Sequence, residues 1–149
     1  MTDNSVTLHK VFKASPEKIY RAFTDPLAMA AWLPPYGFLC TVHEMEVKVG
    51  GMYKMSFTNF TTGNGHSFSG KYIEITPNQF IKYTDKFDDP NLPGEMTTTV
   101  FLKKVSAGTD VKITQLGIPE AIPADQCYLG WQDSLDKLMR LTDPEIKDQ

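Results

Sequence analysis

Residues 46–60, EVKVGGMYKMSFTNF, carry the pattern that decides the fold. Gly50-Gly51 reads as a tight turn, because glycine enters positive φ without steric cost. Behind it, Tyr53, Met55 and Phe57 fall on every second position. A period of two is a β-strand with one buried face.

The same punctuation continues on both sides. Residues 37–49 read as the strand before the glycine turn, and 52–60 as the strand after it. Thr62-Gly63-Asn64-Gly65 is a second turn signal, followed by a strand over 66–76. Pro77-Asn78 turns the chain into a strand over 79–87. A loop over 88–94 precedes two more strands, 96–105 and 110–118, joined through Ser106-Ala107-Gly108-Thr109. Near the start, 5–14 is a strand with Val6, Leu8 and Phe12 on one side and Thr7, His9 and Lys13 on the other. Lys10 and Val11 interrupt that alternation.

Three helices complete the pattern. Ser15 is placed to cap a helix with Pro16 at its first position, where a missing N–H costs nothing. Ile19, Ala22 and Phe23 form its apolar stripe. Thr24-Asp25-Pro26 stops that helix and starts a second, carrying Leu27, Met29, Ala30 and Trp32 and ending before Pro34-Pro35. The third spans 124–141, where Cys127, Trp131, Leu135, Leu138 and Leu141 recur at spacings of three and four. Asp143-Pro144 ends it.

Consecutive strands joined by short turns make antiparallel meanders, and a sheet of seven strands must curve. A long amphipathic helix is the natural cover for its concave face. The expectation is an α+β fold: a curved seven-stranded antiparallel sheet, two short helices, and a long C-terminal helix closing over a cavity. It is expected to be one domain over 1–149.

Composition removes several function classes. The 149 residues are 41% hydrophobic and 22% charged, near globular averages. Net charge is −3 and no polybasic run occurs, which argues against nucleic-acid binding. No apolar stretch approaches the roughly 18 residues that span a bilayer. The N-terminus lacks the charged and apolar segments of a secretory signal, so a cytoplasmic location is expected. Cys40 and Cys127 match no redox or zinc spacing and read as reduced thiols. No metal site and no cofactor are expected.

Four stretches together resemble a known family. They are residues 12–26 (FKASPEKIYRAFTDP), 46–53 (EVKVGGMY), 70–77 (GKYIEITP) and 130–138 (GWQDSLDKL). In order and spacing they are similar to the activator of heat-shock-chaperone ATPase homologue-like family. That family belongs to the START-like, SRPBCC or birch-pollen-allergen-like superfamily. The resemblance implies a helix-grip fold around a cavity, in a superfamily of lipid carriers, hormone receptors and aromatase/cyclases. One stretch departs from the pattern. Where relatives often carry two adjacent tryptophans and Gly-Pro, this chain has Ala31-Trp32-Leu33-Pro34-Pro35-Tyr36-Gly37, which implies a differently shaped cavity mouth. The eukaryotic chaperone activators carry a further N-terminal domain, whereas this sequence opens on the START-like strand, so chaperone activation is not the expected role.

The candidate ligand-binding residues are Trp32, Phe38, Tyr53, Met55, Phe57, Phe68, Tyr83, Trp131 and Leu135. The same residue types also fill ordinary cores, so burial alone would not distinguish a pocket from packing. The leading expectation is non-catalytic binding of a hydrophobic or amphipathic small molecule, lipid-like or aromatic. The C-terminal helix and the 88–94 loop would gate its entry. An alternative is a cyclase or hydrolase that uses a cavity carboxylate; Glu44, Glu74 and Asp85 are its candidates, provided one is buried with a raised pKa. Otherwise these are surface charges. A third reading is an interaction module, a chaperone partner or a homodimer. His9, His43 and His66 fall on three different strands and suggest no catalytic cluster. Asp88, Asp89 and Glu95 lack EF-hand spacing.

Overall fold

The structure, a computed structural model, describes residues 4–148. Among them the chain forms seven strands and three helices: β1 (Val6–Phe12), α1 (Pro16–Thr24), α2 (Pro26–Trp32), β2 (Phe38–Met45), β3 (Met52–Asn59), β4 (Gly65–Thr76), β5 (Phe80–Phe87), β6 (Met96–Val105), β7 (Gly108–Leu116) and α3 (Ala124–Thr142). The strands make one antiparallel sheet in the order β1-β7-β6-β5-β4-β3-β2. Each strand from β2 to β7 lies beside its neighbour in sequence. Only β1 is displaced, because α1 and α2 carry the chain from one edge of the sheet to the other. This is the α+β helix-grip arrangement.

The helix caps explain those two short helices. Ser15 Oγ accepts from the Lys18 N–H at 3.2 Å. Asp25 ends α1 and caps α2, its Oδ1 accepting from the Leu27 and Ala28 N–H groups at 2.9 and 3.3 Å. Both helices open on proline.

Four details differ from the sequence expectation. β2 stops at Met45 rather than running to 49, after a register shift between Val42 and Glu44. Residues 46–51 then fold on themselves: Lys48 N–H donates to Glu46 O at 3.0 Å and Gly51 N–H to Lys48 O at 2.8 Å. Gly50 holds φ 85°, and a side chain at Gly51 would collide with the Glu46 carbonyl, so the glycine pair is required there. β7 begins two residues early, at Gly108. In β1 the alternation survives Lys10 and Val11, with Val11 turned outward. Finally, Leu141 is 45% exposed, while Thr142 is buried and takes the last core position of α3. From Leu138, four residues complete a turn more nearly than three.

The core joins β1, β6 and β7 to α1 and α3, with Phe12, Ile19, Val100, Val111, Ile113 and Leu138 fully buried. Asp143 ties the end of α3 to the end of β1, its Oδ1 accepting from the Lys13 and Ala14 N–H groups at 3.0 and 3.4 Å. α3 also holds the segment after α2: Lys137 Nζ donates to Pro34 O at 2.8 Å, and the Ser134 hydroxyl to Leu33 O. No described helix is long and apolar enough to cross a membrane.

Candidate functional site

Between the concave face of the sheet and α3 lies a cavity of about 190 Å³. Its wall is chiefly apolar. Tyr53, Met55, Phe68, Tyr72, Ile81 and Met96 are buried within it, while the more exposed Phe57, His66, Phe87 and Cys127 mark the mouth. The wall also includes Leu33 and Pro35, so the stretch that departs from the family pattern does shape the cavity.

Six of the nine residues singled out in the sequence line this space: Tyr53, Met55, Phe57, Phe68, Tyr83 and Trp131. Trp32, Phe38 and Leu135 lie outside the wall. Trp32 is fully buried behind it, donating its Nε1–H to Ala22 O at 2.8 Å and packing edge-on against Phe23 at 4.7 Å; Phe23 is the ring that reaches the cavity. Phe38 sits half-buried on the edge strand β2, opposite Asn59. On α3, Cys127, Gly130, Trp131 and Ser134 take the cavity-facing arc, and Leu135 lies about 40° beyond Trp131, on the side away from Ser134, in the core.

The floor of the cavity is a cluster of tyrosine rings. Tyr53 meets Tyr83 edge-on at 5.7 Å and Tyr72 at 5.8 Å; Tyr72 and Tyr83 are 6.3 Å apart. Gly70 makes this possible. A Cβ there would collide with Thr84 O and stand 2.6 Å from Tyr53 Cε2. Without it, the Tyr53 ring crosses β4 and its hydroxyl donates to Thr84 O on β5 at 2.8 Å. The β4–β5 ladder opens at the same point. Ser69 pairs with Lys86 and Tyr72 with Tyr83, leaving Gly70 and Lys71 opposite Asp85 and Thr84 without a paired rung. The Lys71 N–H instead donates to Thr84 Oγ1 at 3.1 Å.

Asp85 stands in this gap, two residues from Tyr83 on the same face of β5, and lines the cavity. Its Oδ1 is buried and has no hydrogen-bond partner among the described residues. Burial pushes the carboxyl up to about 7; the neighbouring Tyr53 hydroxyl and Lys86 backbone moderate the rise. The Tyr53 hydroxyl, beside the Asp85 carboxyl, has its closest partner in Thr84 O, and Oδ1 itself is without a hydrogen-bond partner among the described residues. Burial, then the Asp85 charge, also raises the hydroxyls of Tyr53 and Tyr83 far above the ordinary phenol range. Tyr72 is pushed up to about 12, first by burial. At the mouth, burial lowers His66.

Two other polar groups of the wall are bonded into the protein. Trp131 Nε1–H donates to Gln115 Oε1 at 3.2 Å, and Gln115 Nε2 to Thr98 Oγ1 at 3.4 Å. The remaining sequence candidates lie elsewhere. Glu44 and Glu74 are exposed. His43 bonds Ser56 Oγ at 2.7 Å beyond the cavity, and His9 pairs with Asp110 at 2.5 Å. Among the described residues no group of three or more His, Cys, Asp or Glu could hold a metal ion. Both cysteines are free. Tyr72 is the notable wall residue that sequence reasoning passed over. Phe68, Gly70 and Tyr72 occupy alternate positions, so the signal was present in the period.

Fold and cavity together define a helix-grip protein, and the comparisons agree on the fold. The family model described as "Activator of Hsp90 ATPase homolog 1-like protein" matches residues 13–143, and the chain belongs to that family. A crystal structure of a protein from Chromobacterium violaceum is 54% identical, covers 95% of this chain and 99% of its own, and superposes with a TM-score of 0.94. A Rhodobacter sphaeroides protein shares the fold at 22% identity and TM-score 0.82, over 92% of this chain and 90% of its own. An AHSA1-like protein from Aeromonas hydrophila does so at 20% identity and TM-score 0.75, over 91% and 90%. A search of curated proteins returned no match.

Proposed function

We propose that this protein binds a small, mostly apolar molecule in the cavity between the sheet and α3, and that binding rather than turnover is its primary role. One observation carries the reading: an apolar cavity of about 190 Å³ holding a single buried acceptor oxygen without a partner. Packed interiors leave few voids larger than a water molecule, and natural cores pair their buried polar atoms. Size narrows the ligand. A dry cavity of roughly 150 Å³ accepts benzene, so this one suits one ring or a fused pair better than a long acyl chain. Burying about 150–250 Å² of an aromatic ligand contributes roughly 4–6 kcal/mol before association costs. Dissociation constants are then expected no tighter than about tens of micromolar, and toward the millimolar range.

The first test is native mass spectrometry of the purified protein, followed by denaturing extraction of whatever travels with it. Titration with one-ring and two-ring aromatics completes it. Failure of every such compound to bind would refute the reading.

Asp85 favours a second reading. A carboxylate at the cavity wall with a pKa near neutrality is the group that an acid–base enzyme requires. Turnover of a bound compound, lost in Asp85→Asn, would replace the binding reading with a catalytic one. An interaction module would draw support from a filled interior, which this cavity does not offer. Residence in the cytoplasm, a single-domain chain over 1–149 and possible homodimerisation complete the proposal, with the small molecule as principal partner.

A further inference from the structure

We infer that the ligand is a small arylalkylamine, taken up as its cation, with the ammonium on Asp85 Oδ1 and the ring among the tyrosines of the cavity floor. The inference rests on the small-molecule reading above and specifies its ligand class.

The argument is one of complementarity. The wall presents a buried acceptor without a partner, while three of its donors are already engaged. The Tyr53 hydroxyl donates to Thr84 O, the Trp131 indole N–H to Gln115, and the Ser134 hydroxyl to backbone carbonyls of Leu33 and Gly130. The Tyr83 hydroxyl lies against Thr98. A carboxylate ligand would meet the Asp85 carboxyl with no lysine or arginine among the described lining residues to receive it. Asp85 Oδ1, by contrast, is buried and unpartnered. A buried acceptor left unpaired costs about 1–3 kcal/mol, which a ligand N–H recovers. A charged donor recovers more, because hydrogen bonds to ionised groups are the stronger ones.

Charge points the same way. The titratable groups facing Asp85 from neighbouring elements are Tyr53 on β3, Tyr72 and His66 on β4, Tyr83 on β5 itself, and Cys127 on α3; β6 and β7 contribute only Met96, Thr98 and Gln115. The tyrosines and the cysteine are held neutral by raised pKa values, and His66 by a lowered one. Among the described residues no lysine or arginine lines the cavity. Asp85 is therefore its one source of charge near neutral pH, and it has no counter-ion. The negative faces of tyrosine rings also attract a cation, and three of them surround this floor.

The test uses matched probes that differ only in the polar group. Benzylamine and 1-naphthylmethylamine are the cations, benzyl alcohol and 1-naphthylmethanol the neutral partners, benzoate and 1-naphthoate the anions. Calorimetric titration of the full chain at pH 8 should give at least a tenfold preference for the amine over its alcohol and none for the anion. The preference should shrink as pH falls through 7 and Asp85 takes up a proton. In Asp85→Asn the ratio of amine to alcohol affinity should collapse to within about twofold. Because the wild-type pH profile stands alone, a poorly folding variant would not remove the test. Alcohols or anions binding as tightly as amines, or amine affinity rising toward acid pH, would overturn the inference while leaving the small-molecule reading intact. If no probe of any charge bound, both would fall.

Discussion

The Tyr53 hydroxyl donates to the Thr84 carbonyl two strands away, at 2.8 Å, through space that Gly70 leaves empty. That bond holds Tyr53 in the tyrosine floor, with its hydroxyl beside the Asp85 carboxyl. It also makes the site sensitive to a residue that touches no ligand.

Gly70→Ala is therefore expected to be costly. The added methyl must displace either the Tyr53 ring or the β5 backbone. Overpacking of this kind costs about 1–3 kcal/mol. Urea denaturation should show a lowered midpoint with little change in slope, and aromatic probes should bind more weakly. An unchanged midpoint would mean that β4 and β5 separate without strain.

Asp85 should write its burial into the pH dependence of stability. Its folded pKa of about 7 lies above the unfolded value near 3.8, so the folded state holds the proton more tightly. Between about pH 4 and pH 7 the folded state binds more protons than the unfolded one. Stability therefore falls as pH rises across that window, by up to about 4 kcal/mol for this group alone. Asp85→Asn should flatten that limb of the profile and raise stability at neutral pH. Equal pH slopes for the two proteins would show that Asp85 is not buried as described.

Trp131→Ala should destabilise the fold and enlarge the cavity together. The indole lies on the cavity wall, and its loss leaves Gln115 Oε1 without its donor. Large aromatic truncations cost about 3–5 kcal/mol. Thermal unfolding should report the loss, and the variant should accept bulkier probes than the native chain. A retained melting temperature with an unchanged ligand profile would remove Trp131 from the wall.

Ligand size offers a further check. Competition against a bound fluorescent aromatic should favour one-ring and two-ring compounds over straight chains of about twelve carbons or more, given how a cavity of about 190 Å³ compares with the smaller one that holds benzene. Tight binding of a long chain would require the mouth near Phe57, His66 and Phe87 to open.

Much of this was legible in order of residues. Pro16 and Pro26 behind their capping residues, the Gly50-Gly51 turn and the alternation of Tyr53, Met55 and Phe57 are local signals, and each produced its element. Trp131 was readable as a cavity residue because helix period and ring size coincide there. Trp32 was not, because its position behind Phe23 depends on how α1 meets α2. Tyr72 was readable from its alternation with Phe68, although Gly70 between them carries no side chain to mark the face.

Sequence by itself determined the helix-grip architecture, because turns, caps and periodicity act between residues near one another in the chain. Only the tertiary structure decided the chemistry of the cavity. Asp85 looks like any strand carboxylate until the ladder opens beside Gly70 and Tyr53 reaches across β4 to Thr84, leaving Asp85 Oδ1 buried without a partner among the described residues. The residues of that arrangement come from three strands, and burial, which sets the carboxyl's charge, is a property of their assembly rather than of any one of them.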